Sequence, residues 1–145
     1  MSEAYSPLVV EHFGRPRNVG RFAPDADVIA ASAGDPAQGV RFDLSARVRD
    51  DRIVALRFEV YGCPHCIAAG SLLSERLQGA TRDELRRWSW REAADELEFP
   101  PEKRGRLLVL EDAVRALAAQ WQRQNATHAS IRGHGSIVQF AGGMV

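Results

Sequence analysis

The chain has 145 residues, 45% hydrophobic and 26% charged, enough to bury roughly 70% of its unfolded surface in one core and unlike a disordered or fibrous chain. Its 19 basic residues balance 19 acidic ones, so no net field draws it to nucleic acid or to an anionic membrane. Met1 to Ser6 lack the basic and apolar regions of an export signal, and no run approaches about 20 apolar residues, so the sequence reads as cytoplasmic.

Ser6 followed by Pro7 starts a short helix, Pro7 to Phe13, because serine caps free amides and proline tolerates the first helical position. Pro16 and Gly20 then force a connector that runs to Asp27, and Val28 to Ala31 suit a short strand ended by Gly34-Asp35-Pro36. From Val40 to Val48 apolar and polar residues alternate strictly, the period of a strand with one buried face. Asp50-Asp51 makes a turn, and Ile53 to Tyr61 repeats the alternation through Val54, Leu56, Phe58 and Val60, which gives a hairpin with a polar solvent face. Cys66 to Leu77 reads as a helix closed by Gly79. Thr81 with Glu84 and Ser89 with Glu92 both match the capping box and predict two short helices. Beyond Pro100-Pro101, Leu107, Leu110, Val114, Leu117 and Trp121 step by three and four along a helix of about four turns. From Asn125 onward the residues turn small and polar. Ile137, Val138 and Phe140 suit a short strand there, and a flexible tail is equally open. Trp88, Trp90 and Trp121 are expected to fill the core between helices and sheet. Lys103 is the one lysine among the basic residues, an arginine bias to which no functional weight is given.

Both cysteines, Cys63 and Cys66, sit in one Cys-Pro-His-Cys at a strand-to-helix junction. In a reducing compartment that spacing points to metal binding or redox chemistry before a structural disulfide. A helix N-terminus stabilises a thiolate, so at least one of the two should be unusually acidic. Cys63, Cys66 and His65 are the candidate metal ligands. The plain alternatives are two ordinary buried thiols, a solvated loop histidine at position 65, and a structural packing role for His12. His128 and His134 would reach a metal only if the tail folded back.

Three stretches then read together: Tyr5, His12-Phe13 and Pro16 to Gly20; Gly34 to Gly39, the hairpin, Tyr61-Gly62-Cys63, Ile67-Ala68 and Ser71 to Glu75; Phe99 to Lys103 and Glu111-Asp112-Ala113. In this order and spacing, from Tyr5 to Gln122, the chain resembles the U-type iron-sulfur cluster assembly scaffolds, which include the N-terminal domain of nitrogen-fixation U proteins. The resemblance implies an α+β fold, a small antiparallel sheet of about three strands covered by helices, spanning residues 1–124, with residues 125–145 a C-terminal extension. It also implies a cluster site of three cysteines aided by an aspartate and a histidine. Most of that site is missing: Gln38 and Val40 stand where the family has cysteine and aspartate, and Gly105 and Arg106 where it has histidine and cysteine. Cys63 alone keeps a family ligand position, and Cys66 is new.

Each iron of a two-iron cluster takes two protein ligands, so one surviving family cysteine does not hold it. Three readings stay open. In the first, Cys63 and Cys66 chelate one iron or zinc ion, or half of a [2Fe-2S] cluster completed by a homodimer. Cys63 then accepts persulfide sulfur from a cysteine desulfurase, and Cys66 serves as a resolving thiol or second ligand. In the second, the pair exchanges disulfides, since Cys-Pro-His-Cys is similar to the active-site sequence of bacterial disulfide oxidases, although two strands precede it here. In the third, the chain carries no metal and binds other assembly proteins. The family's Leu-Pro-Pro-Val-Lys segment is read by an Hsp70-type chaperone, and Pro100-Pro101 survive here beside Phe99 and Glu102. None of these makes substrate turnover its business, so no catalytic residue and no enzyme is expected, exchange activity apart.

Overall fold

A computed structural model describes residues 5–137, with side chains described to residue 126. Helix α1 (Pro7–Gly14) precedes strand β1 (Val28–Asp35), a 3-10 turn (Pro36–Gln38), β2 (Val40–Arg49) and β3 (Arg52–Tyr61). Helices α2 (Pro64–Arg76), α3 (Arg82–Arg87) and α4 (Trp90–Leu97), a second 3-10 turn (Pro101–Lys103) and the long α5 (Arg104–Ile137) follow. The sheet is antiparallel in the order β1-β2-β3. One of its faces carries Ile29, Phe42, Leu44, Ala46, Leu56 and Phe58. These pack against Ala68, Ala69 and Leu72 of α2 and Leu107, Leu110, Val114, Leu117 and Trp121 of α5. The expected α+β fold is the observed one.

The hairpin turn Asp50-Asp51 places both residues at positive φ, 53° and 61°, the turn whose twist suits two antiparallel strands. The alternation along β3 breaks where sequence parity put Val54 inside. Arg47 pairs with Ala55 and Val48 with Ile53, so Val54 is an extra residue in a bulge. It stands 45% exposed while Ile53 is 1% exposed. The far face is less open than the alternation implied. The connector bridges in parallel to β3 through Val19 and Phe58. The Phe22 amide then donates to Ser45 Oγ at 3.0 Å, and the Arg57 guanidinium lies 4.3 Å above the Phe22 ring, so Ser45 is buried.

Two glycines set close approaches. A Cβ on Gly70 would sit 2.5 Å from the Phe58 ring, so its absence lets α2 settle on β3. At Gly34, with φ +98°, a Cβ would meet the Val40 carbonyl at 2.4 Å.

Several local expectations change. Proline takes the first position of α2, which therefore begins at Pro64 and not at Cys66, and the helix ends at Arg76 with Gly79 lying beyond its cap at φ +84°. Thr81 and Glu84 close a full capping box, whereas Ser89 Oγ accepts from the Arg91 amide and makes no box with Glu92. Only Trp121 fills the core; Trp88 and Trp90 are half-buried at its rim, where the Trp90 amide donates to Glu111 Oε1 at 2.9 Å. Helix α5 runs without a break past residue 125 to Ile137, so Ile137 ends a helix and is not in a strand; Val138 and Phe140 lie outside the described residues. No helix among the described residues is long and apolar enough to cross a membrane.

Candidate thiol site

The site forms where β3 gives way to α2. Cys63 caps α2 in extended geometry, with Pro64 behind it, and its carbonyl accepts from the Cys66 and Ile67 amides at 2.9 and 3.1 Å. Proline has no N–H, so the first amides at the start of α2 belong to His65 and Cys66. They face the Cys63 sulfur without closing a full capping bond to it. One turn of helix brings Cys66 back over Cys63, and the two sulfurs stand 3.8 Å apart. Gly62 makes room for this: a Cβ there would lie 2.9 Å from Cys66 Cβ and 3.0 Å from its sulfur.

The two thiols differ. Cys63 is half-exposed and Cys66 is 1% exposed. Burial pushes the Cys63 thiol up, but the Cys66 and His65 amides, the Cys66 thiol and the Lys103 ammonium together bring it below the ordinary value. Burial first, and the charge of Cys63 second, push the Cys66 thiol up to about 12; Arg106 pulls weakly the other way. Of the two, Cys63 therefore gives up its proton first, while Cys66 holds its own. The expectation of one acidic cysteine is assigned to Cys63.

His65 is not a solvated loop residue. It lies in the first turn of α2, 5% exposed, with its ring edge-on to Tyr5 at 4.8 Å and to Phe99 at 5.1 Å. Among the described residues no group of three or more His, Cys, Asp or Glu is placed to hold a metal ion, so His65 does not join the thiols in such a set. His12 is buried and bonded within the packing of α1 on α2. Its Nδ1 lies 2.7 Å from Ser71 Oγ and 3.3 Å from Arg17 Nη1. A guanidinium only donates, so Nδ1 accepts and the ring proton sits on Nε2, 3.8 Å from Glu75. His128 and His134 belong to the last turns of α5, and their side chains lie outside the described residues.

The positions expected to have lost ligands carry no thiol or carboxylate in their place. Gln38 is exposed at the end of the first 3-10 turn; Val40 is buried, its Cγ2 beside Gly62; Gly105 is exposed; Arg106 acts on Cys66 as a cation. Lys103 and Gly62 are members of the site to which the sequence reading gave no role. Lys103 offered a signal, as the one lysine of an otherwise arginine-based chain.

Chemically, two thiolates on one tetrahedral metal with bonds near 2.3 Å stand about 3.8 Å apart, which is the spacing found here. The pair fits one edge of a metal's coordination sphere. It does not fit a two-iron cluster, which takes four protein ligands.

The chain matches the family model described as NifU-like N terminal domain over residues 4–128. It is similar to the iron-sulfur cluster assembly scaffold protein IscU of Escherichia coli (strain K12), with 38% identity over 121 residues, 82% of this chain and 94% of that one. Its similarity to the scaffold protein IscU of Azotobacter vinelandii is 35% over 123 residues, covering 83% and 96%. Among solved structures, a NifU-like N-terminal protein from Brucella abortus superposes with a TM-score of 0.65 at 23% identity, covering 81% of this chain and 94% of that one. A putative SufU scaffold from Fervidobacterium islandicum AW-1 does so with 0.61 at 15%, covering 79% and 96%. At these identities the two structures speak for the fold.

Proposed function

The chain belongs to the NifU-like N-terminal domain family, and from that membership we infer that it is an iron-sulfur cluster assembly scaffold-type protein whose own chemistry is confined to Cys63 and Cys66. The observation that carries this reading is the 3.8 Å sulfur pair at the start of α2, at the one family ligand position the chain retains. Cys63, the more acidic and more accessible thiol, accepts sulfur from a cysteine desulfurase. Cys66 completes a two-thiolate chelate for iron. Two further ligands for a two-iron cargo come from outside the chain, and a second copy supplies them most simply because it brings one more pair. Lys103 and Arg106 offset the negative charge that such a bridged site gathers. Its role is carriage, with no turnover of a substrate.

Disulfide exchange with other proteins is the weaker reading, because the motif follows three antiparallel strands and the relatives are named as scaffolds. Chaperone recognition through Pro100-Pro101 has no part in it, since Phe99 is buried and Glu102 charges the exposed turn.

The test is the iron, zinc and acid-labile sulfide content of protein purified without oxygen, beside a Cys63→Ala, Cys66→Ala double variant. Iron and sulfide lost together in the variant support the scaffold reading. Zinc alone, lost in the variant, makes the pair a zinc chelate. Metal that is absent from both forms rejects cluster carriage.

A further inference from the structure

We propose that Cys66 makes sulfide release internal to the chain: it attacks the sulfur of a Cys63 persulfide, expels hydrosulfide and leaves a Cys63–Cys66 disulfide. This rests on the reading of Cys63 as the sulfur acceptor and adds the source of the electrons. Sulfur arriving as a persulfide is at the oxidation level of elemental sulfur, while a cluster needs sulfide, two electrons lower. The two thiols of the pair carry those two electrons.

The step balances without an outside oxidant or reductant. Cys66–SH and Cys63–S–S⁻ become Cys63–S–S–Cys66 and HS⁻. The bond between the inner and outer sulfurs of the persulfide breaks, a bond between the two Sγ atoms forms, and the Cys66 proton leaves on the outer sulfur. Which sulfur is attacked decides the result, because attack on the outer one would only move the persulfide to Cys66. The structure places Cys66 Sγ against the inner sulfur, 3.8 Å from Cys63 Sγ, with the Cys66 chain buried beneath it. Cys63 is half-exposed, so the leaving group has a way out on the solvent side. Gly62 holds this arrangement open, since a Cβ there would occupy the space of the Cys66 sulfur.

A consequence follows for the metal. The disulfide has no thiolate, so the chain that has released sulfide no longer chelates until a dithiol reductant restores the pair, itself becoming a disulfide. Sulfide release and metal holding are then successive states of the same two atoms.

The test uses the reduced full chain under nitrogen, freed of small thiols and given one equivalent of glutathione persulfide. Released sulfide is trapped by alkylation and the protein is weighed intact. Wild type is expected to release one sulfide per chain, more than about tenfold faster than Cys66→Ser and Cys66→Ala, and to end two hydrogens lighter, because the attacking thiol is already in place. Both variants are expected to remain one sulfur heavier. Wild type that keeps its persulfide as long as the variants overturns the release step and leaves the acceptor reading standing. Failure of all three proteins to take up sulfur overturns the acceptor reading and the release step together. The wild-type measurement decides the matter even where a variant folds poorly.

Discussion

Cys66 and Ser71 lie on one helix and both are buried, yet their surroundings differ in kind. Ser71 Oγ accepts from the Arg17 amide at 2.9 Å and meets His12 Nδ1 at 2.7 Å, while Ser74 Oγ donates to the Ser71 carbonyl at 2.7 Å and accepts from Asn18 Nδ2 at 3.0 Å. That network joins α1, the connector and α2, and its polar atoms are used up in holding them. At the first turn of the same helix the two sulfurs have each other, a pair of amides and two cations, an arrangement that stabilises a charge and leaves the sulfur's bonding capacity for a guest. A saturated buried network fixes structure, and a charged, half-open pair keeps its chemistry available.

The sharpest way to break this contrast is Gly62→Ala. Its methyl group displaces the Cys66 sulfur and separates the pair, so metal affinity falls on the order of a hundredfold with the loss of two-point attachment. The Ser71 network stays intact, and a metal titration beside a urea melt reads both. Ser71→Ala does the opposite. It strands the Arg17 amide and takes the nearer of two partners from His12 Nδ1, costing about 1–3 kcal/mol in the melt with metal binding unchanged.

His12 sharpens the contrast through pH. Burial, then Arg17, holds its folded pKa below 6.5, so the unfolded chain binds the proton more readily. Stability from this group is present above pH 6.5 and declines as pH falls below it toward the folded value. His12→Gln should flatten that part of a stability-against-pH curve. The smallest effect belongs to Lys103→Gln. With one favourable cation gone, the Cys63 thiol rises and its alkylation near neutral pH slows by about threefold or less, solvent screening most of the charge.

The contrast was only half legible in the sequence. Strict alternation from Val40 to Val48 gave away β2, because a sheet with one buried face has no other pattern to follow. The same logic failed at Val54, since a bulge inserts one residue without marking it in composition. The cysteine pair stood out by its spacing, and the helix-start argument assigned it an acidic member. Which member that is depends on burial of Cys66 in the core, a tertiary fact. His65 stood as a candidate ligand with a solvated loop residue as the alternative, because the rings that enclose it, Tyr5 and Phe99, come from distant parts of the chain. The Ser89 box looked complete by residue type, yet Ser89 bonded one residue short of it. Helix α5 outran its apolar stripe, for beyond Gln124 the stripe that marks a packed face is no longer there to read.

The central claim, that the two sulfurs act as one ligand pair, is tested most directly by X-ray absorption at the metal edge. The chain is loaded without oxygen with one iron or zinc per molecule, and Cys63→Ala and Cys66→Ala single variants are measured alongside. The account predicts sulfur neighbours at about 2.3 Å in wild type and fewer of them in each single variant. A metal surrounded only by nitrogen and oxygen, or a sulfur shell unchanged when either cysteine is removed, would contradict it.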